Sequence, residues 1–340
     1  MQTAFVTGST GLLGNNLVRA LVERGVRVKA LARSRDKATR QFTGVPVEIV
    51  EGDMTGVAGF ARHLDGCDVL FHTAAHFRDS YKGGKHWNKL HAVNVEGTRL
   101  LLDAAYAAGV RRAVHTSSVA VLNGLPGQLI DETMERRADE RDDYHRSKIL
   151  SDRTVRNFLG SHPDVFIAMV LPVWMFGPGD IGPTSSGQVT LDFVKRKLPG
   201  RIPGSFSVAD ARDVAQHQIA ALERGRSGQR YLVAGRHMTT DDLFPLLAEV
   251  SGVVAPMRRI PLGMLRILAS VYEVYAGATG RPVLVSRASV KLLAQEAGRS
   301  HFDHAKSERE LGCNFRPVAE TLTDSAVSYV VEIRVPFRIW

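Results

Sequence analysis

The sequence predicts an α/β fold with a doubly wound parallel sheet, followed by a smaller, mostly helical part. Three observations carry that expectation. Short apolar runs alternate with amphipathic helical stretches through the first half of the chain. Those runs are nearly all apolar, as strands covered on both faces must be. The first run ends in a glycine-rich turn that opens a helix.

TAFVT at 3–7 reads as the first strand, and 12–23 as the helix after it, by its apolar spacing. RVKALA at 27–32, VEIV at 47–50, DVLFHTA at 68–74 and RRAVHTSS at 111–118 read as further strands. Between the last two, 93–108 reads as a helix with Leu100, Leu101, Ala104 and Ala108 on one face. A helix over 144–159 leads into the buried strand VFIAMVLP at 165–172. After Trp174 the pattern changes. Gly and Pro crowd 177–187 and recur at 199–204, which read as loops. Helical spacing returns at 210–223, 240–250, 262–276 and 317–330, interrupted by one short strand, RYLVAG at 230–235. The expected division is a sheet-containing core over 1–175 and a second part over 176–340, with 210–235 returning to the sheet. The tail, 330–340, shows no clear periodicity.

The 340 residues hold 44 Lys and Arg against 35 Asp and Glu, a formal charge of +9. A hydrophobic content of 44% excludes a mainly disordered chain and suffices for a sizeable core. Cys67 and Cys313 are the only cysteines and have no metal or disulfide spacing, which suits a reducing compartment. His72, His76, His86, His91 and His115 are scattered without HxxxH or HExxH spacing on a helix, so no metal site is expected. No leader is evident, and the most apolar stretch, 262–276, is interrupted by Arg266 and Glu273. A cytoplasmic protein without a membrane partner is the expectation. The basic excess suits nucleic acid, a membrane surface or an anionic small molecule.

The sharpest local signal is Thr7-Gly8-Ser9-Thr10-Gly11-Leu12-Leu13-Gly14, a GxxGxxG spacing between a strand and a helix. Glycines there let backbone approach a pyrophosphate, and the helix N-terminus favours negative charge. A dinucleotide is the expected ligand. At the end of the second strand the acidic residue typical of NAD sites is missing, and Arg33 stands in its place. A guanidinium suits a 2′-phosphate, so NADP(H) is preferred and NAD(H) remains open. Arg35 and Lys37 add positive charge nearby. Asp53, after the third strand, suits either an adenine amino group or an N-cap.

Tyr144 and Lys148 are four residues apart on an expected helix and so share a face. A free phenol titrates near ~10, and an adjacent cation is expected to lower it towards neutrality. Ser117 and Ser118 end the fifth strand, where ligand sites gather in doubly wound sheets, and Ser118 can donate to a carbonyl oxygen. Together these motifs are far more specific than YxxxK alone.

With these motifs the chain resembles the extended branch of the short-chain dehydrogenase/reductase superfamily, the NAD-dependent epimerase/dehydratase family, over nearly its whole length. TGSTGLLG (7–14), DVLFHTAA (68–75), VNVEGTRLLLDAA (93–105), VHTSSVAVL (114–122), YHRSK (144–148), FGPGD (176–180), ARDVA (211–215) and FDHAKSERELG (302–312) carry the resemblance. It implies a Rossmann core, a substrate-binding second part, and Ser118, Tyr144 and Lys148 as the catalytic set. It also implies cofactor contacts from Gly8, Thr10, Gly11, Leu12, Leu13, Gly14, Arg33, Asp53, Met54, Thr73, Ala74, Ala75, Asn94, Ser117, Tyr144, Lys148, Pro172 and Val173. A homodimer through the Tyr144 helix would follow the family habit.

Two branches of that family fit poorly. Sugar dehydratases usually carry an Asp-Glu pair after the strand-end serine, where this chain has Val119-Ala120-Val121. Nucleotide-sugar enzymes usually place basic residues before the ARDVA segment, where Pro203 to Val208 has none, although Arg201 is close. The expectation is an NADPH-dependent carbonyl reductase similar to dihydroflavonol reductase, acting on a small carbonyl or alcohol. His76, Phe77, Tyr81 and Trp174 are candidate substrate contacts, with loop packing an equal alternative. An NAD(P)-dependent sugar epimerase and a non-catalytic NADP-sensing protein are the other readings. Nucleic acid has no support beyond charge.

Overall fold

The structure, a computed structural model, describes residues 1–77, 86–137, 139–140, 142–198, 200–279, 287, 290–291, 294 and 296–333. Tyr81 and the end of the unpatterned tail lie outside the described residues. Seven strands form one parallel sheet in the order β3 (Glu48–Glu51), β2 (Arg27–Ala32), β1 (Thr3–Thr7), β4 (Val69–His72), β5 (Arg112–Thr116), β6 (Phe166–Pro172) and β9 (Arg230–Val233). The doubly wound parallel sheet expected from the alternation is therefore present. Strand order reverses between β1 and β4, so a crevice opens beyond their C-terminal ends.

Period-two alternation along β1 explains the layers. Ala4 and Val6 face one side, onto Leu13, Leu17, Val18 and Leu21 of α1 (Leu12–Glu23) and Val214 and Ile219 of α7 (Ala211–Arg224). Phe5 faces the other, onto Leu101, Leu102 and Ala105 of α4 (Gly97–Ala107) and Ile149, Val155 and Phe158 of α5 (Asp143–Ser161). Each such aliphatic or aromatic side chain contributes about 2 kcal/mol on burial. The helix expected over 93–108 begins differently. The short α3 (Trp87–Leu90) runs into a π-helical stretch, His91–Glu96, before α4.

A second sheet was not foreseen. β10 (Arg236–Thr239) pairs antiparallel with β8 (Ser205–Asp210), which pairs parallel with β7 (Trp174–Phe176). Phe176, Val208 and Met238 from these strands pack on Phe193 of α6 (Ser185–Val194), on Leu243, Phe244 and Leu247 of α8 (Thr240–Ser251), and on Leu322 of the C-terminal helix, Val318–Ile333. The loop reading of 177–187 thus fails at its end, where α6 starts with Thr184 as its N-cap. Nor was α2 (Arg35–Gln41) foreseen. It buries Ala38 alone and owes its start to Ser34, whose hydroxyl accepts from Lys37 N–H.

The loop after β7 is tied down twice. Asn16 of α1 donates from Nδ2 to the Pro178 carbonyl at 3.0 Å. Buried Asp180 accepts from the amide and hydroxyl of Thr184, both at 2.7 Å, and from the Tyr329 hydroxyl at 2.8 Å. The loop is thereby held between the first helix of the chain and the last. Among the described residues, no helix is long and apolar enough to cross a membrane.

Candidate active site

The turn from β1 to α1 is built on glycine. Gly8 has φ +65° and lies so close to the chain after β4 that a Cβ there would come within 2.7 Å of the Ala74 nitrogen. A Cβ on Gly14 would collide with the Gly8 carbonyl. Gly11 donates its N–H to the Gly8 carbonyl at 2.9 Å and is the N-cap of α1, without a capping side chain. The first amides of α1 are therefore not capped by a side chain, and Gly8, Gly11 and Gly14 leave the backbone beside them without a Cβ at those three positions. That is a cradle for a pyrophosphate, and the residues present fit a dinucleotide. Thr10 and Gly11 reach the surface, whereas Leu12 and Leu13 are buried beneath.

The segment after β4 is fastened to the same turn. Thr73 donates its hydroxyl to the Thr7 carbonyl at 2.6 Å, and Ala74 donates its N–H to Thr7 Oγ1 at 3.2 Å. Asn94, 2% exposed, accepts from His76 N–H at 2.7 Å and donates to the His76 carbonyl at 3.1 Å and to Ser147 Oγ at 3.0 Å. One amide side chain thus clamps residue 76 to α5, and Ala75 stays exposed at the crevice. Met54 is buried, its carbonyl close against Gly97.

Around the adenosine end, Arg33 is exposed and makes no hydrogen bond or ion pair among the described residues, while Arg35 donates to the Ile49 carbonyl at 2.9 Å. Asp53 accepts from the Thr55 amide and hydroxyl, at 2.9 and 2.7 Å. It closes a turn and is not the N-cap of the 3₁₀ helix Val57–Gly59, a place taken by Gly56. Partial burial works to raise the Asp53 carboxyl, and the Thr55 bonds, helped by the Arg33 charge, leave it below its ordinary value.

Beyond β5 the three residues of the expected catalytic set come together. Ser118 lies close enough to the Tyr144 hydroxyl to favour its ionised form. Ser118 also accepts from Ala120 N–H at 3.2 Å, which caps a 3₁₀ turn over Val119–Val121. Lys148, 3% exposed and one turn along α5 from Tyr144, donates to the Thr116 carbonyl at 2.8 Å. Burial pushes the Tyr144 phenol up to about 12, the neighbouring Ser118 opposing it and Asp142 adding to it. The lowered phenol expected from YxxxK is therefore not found, because loss of solvent outweighs the stabilisation of the anion. Lys148 is itself lowered to about 8 by burial, against the pull of Asp152. Ser117 is buried, its amide donating to the Val170 carbonyl at 2.8 Å; β6 ends at Pro172, and buried Val173 follows it.

Sequence reasoning missed the polar layer beneath this set. His72 and His115, scattered in sequence, are partners in the β4–β5 register with ring centroids 5.2 Å apart. His72 bridges Thr7 Oγ1 at 2.8 Å and Thr98 Oγ1 at 2.9 Å. Burial, then the Lys148 charge, drives the His72 imidazole down to about 3, and burial drives His115 down as well. Both are neutral at pH 7. Asp152, fully buried, faces the Arg230 guanidinium at 3.3 Å. The available signal was positional, since both histidines sit at strand ends of adjacent strands. Among the described residues no group of three or more potential ligands could hold a metal ion.

Of the candidate substrate residues, Phe77 packs edge-on against the Tyr144 ring, centroids 4.7 Å apart. Trp174, 40% exposed, stacks on Phe206 at 5.0 Å, and His76 is held by the Asn94 clamp.

A Rossmann sheet with a glycine cradle and a Ser-Tyr-Lys set beside it defines a dinucleotide-dependent oxidoreductase. The NAD dependent epimerase/dehydratase family matches residues 4–234, and the chain belongs to that family, the extended short-chain dehydrogenases/reductases. It is 32% identical to a Synechocystis protein provisionally named a dihydroflavonol 4-reductase, over 94% of this chain and 92% of that protein. It is 34% identical to sterol demethylase protein B of Methylococcus capsulatus, over 92% and 93% of the two chains. The crystal structure of gox2253 superposes with a TM-score of 0.80 at 30% identity, covering 99% of this chain and 100% of that one.

Replacing Gly14 by Ala forces the β1–α1 turn away from Gly8. Nucleotide affinity, followed by fluorescence titration, should fall at least about tenfold, a loss of ~1.4 kcal/mol, and unaltered affinity would show that the cradle is not the binding site.

Proposed function

We propose that the protein is an NADPH-dependent carbonyl reductase that converts a ketone or aldehyde of a small organic substrate to the alcohol. The observation that carries this reading is the convergence of Ser118 on the Tyr144 hydroxyl, with buried Lys148 one turn away on the same helix. Bound NADPH supplies the hydride that reaches the carbonyl carbon. The substrate oxygen takes the place between Ser118 and Tyr144, accepting from both hydroxyls. Tyr144 gives its proton to that oxygen as negative charge develops, and the phenolate is left behind. A phenol held at about 12 is protonated throughout the neutral range, which is the form a reduction needs. The Lys148 ammonium stabilises the phenolate in a site where burial strengthens every charge interaction.

The NADPH preference rests on Arg33, the exposed cation at the end of β2 that makes no hydrogen bond or ion pair among the described residues, where an acidic residue would repel a 2′-phosphate. The residues following Ser118 are apolar and form a 3₁₀ turn, which offers no acid for water elimination. Phe77 against Tyr144 favours a substrate whose carbonyl is borne by an apolar or aromatic body. The part of the chain from 176 onward would shape that side of the site.

Tyr144→Phe removes the proton donor alone. Turnover should fall by about 10³ or more while NADPH affinity stays within a factor of ~2, and turnover close to wild type would sink the reading. Arg33→Ala should raise the KM for NADPH by about tenfold and leave that for NADH unchanged, matching one lost charge-assisted phosphate contact of ~1.5 kcal/mol. For pH, the charged form of Lys148 is present below its lowered value and lost above it. The reductive kcat/KM should therefore decline above pH of about 8, and a profile flat to pH ~10, where a free ammonium titrates, would show that this charge is not used.

A further inference from the structure

The helix α9 (Leu262–Thr279) is apolar on two opposite faces. Inward it sets Leu265 and Ala269, both fully buried, into a small cluster with Ile260 and Val290. Outward, Met264, Ile267, Val271 and Val274 are 55%, 68%, 59% and 73% exposed. Their spacing of three, four and three places them on one stripe. Beside it a shallow cleft of about 450 Å³ is lined by Arg266, Arg287 and Lys291, together with Ser270. Arg287 is held by Glu273 at 3.4 Å, whereas Arg266 and Lys291 are exposed and in no ion pair among the described residues. Glu273 is the only acidic residue on α9, and it is already paired.

We propose that this face docks the protein on an anionic phospholipid bilayer. An exposed apolar stripe flanked by cations is the arrangement of a helix that lies in a membrane interface. The stripe enters the acyl boundary, and Arg266 and Lys291 meet headgroup phosphates. A symmetric contact between two copies of the chain would instead set the same basic cleft of each near the shared seam, where like charges oppose association. The contact is peripheral, since no described helix spans a membrane. It replaces the sequence-based expectation of no membrane partner, and it involves none of the residues assigned to catalysis.

The test is co-sedimentation of the full chain with vesicles. Vesicles of equal parts phosphatidylcholine and phosphatidylglycerol should pellet the protein at low salt, and pure phosphatidylcholine should pellet little. The double variant Ile267→Glu/Val271→Glu should lose binding while keeping the wild-type circular dichroism and melting temperature. Arg266→Gln/Lys291→Gln should weaken binding roughly fivefold per cation removed, a measurement that stands even if the first variant fails to fold. Absence of wild-type pelleting, or equal pelleting of folded wild-type and variant proteins, would overturn the proposal. So would a lipid-free dimer that Ile267→Glu/Val271→Glu dissociates, which would assign the face to a second copy.

Discussion

The site depends on one backbone contact, that of Gly14 against the Gly8 carbonyl. Because neither residue has a Cβ, α1 starts directly behind β1, and the chain after β4 can lie against Gly8. Thr7 then reaches both Thr73–Ala74 and His72. Through His72 and Thr98 the linkage continues to Asn94 and so to Ser147 on the Tyr144 helix. The cradle for the cofactor and the helix carrying Tyr144 and Lys148 are thus connected by an unbroken series of buried hydrogen bonds. Buried polar groups tolerate little displacement, because an unsatisfied donor or acceptor costs about 1–3 kcal/mol.

That series also explains the state of the histidines. His72 and His115 are buried near a lysine, and both lose any tendency to take up a proton. They act as neutral hydrogen-bonding spacers, and positive charge near the Ser118 and Tyr144 hydroxyls stays on Lys148. Asp152 and Arg230 face each other further along α5, where β9 joins the sheet. The depressed Lys148 and the raised Tyr144 share one cause, the loss of water from this layer.

Much of this was legible in the sequence, for identifiable reasons. β1, α1 and β2 coincide with their expected bounds because each is delimited by glycine or by a charge and buries a regular face. That Ser118, Tyr144 and Lys148 would come together was legible because their types and spacing suit one chemistry. The second sheet was not legible: β7 has three residues, and β8, SFSVAD, alternates serine with apolar residues in a chain region crowded by proline and glycine. α2 was hidden because it buries only Ala38 and has no apolar period. The His72–His115 contact depends on strand register, which pairs residues 43 positions apart and leaves no local mark. The Tyr144 shift was misjudged because sequence spacing reports the nearby cation and says nothing of the water removed.

The bond from Tyr329 to Asp180 has a consequence for the order in which the protein is made. The two residues are 149 positions apart. At 5–20 residues per second, synthesis separates them by roughly 7–30 s. During that interval a nascent chain already holds the cradle and the Tyr144 helix, but Asp180 has only Thr184 and lacks the Tyr329 hydroxyl that ties the loop to the C-terminal helix. The loop is therefore completed from the C-terminal end, and a truncation between β9 and residue 329 should leave the seven strands in place with Asp180 tied only to Thr184.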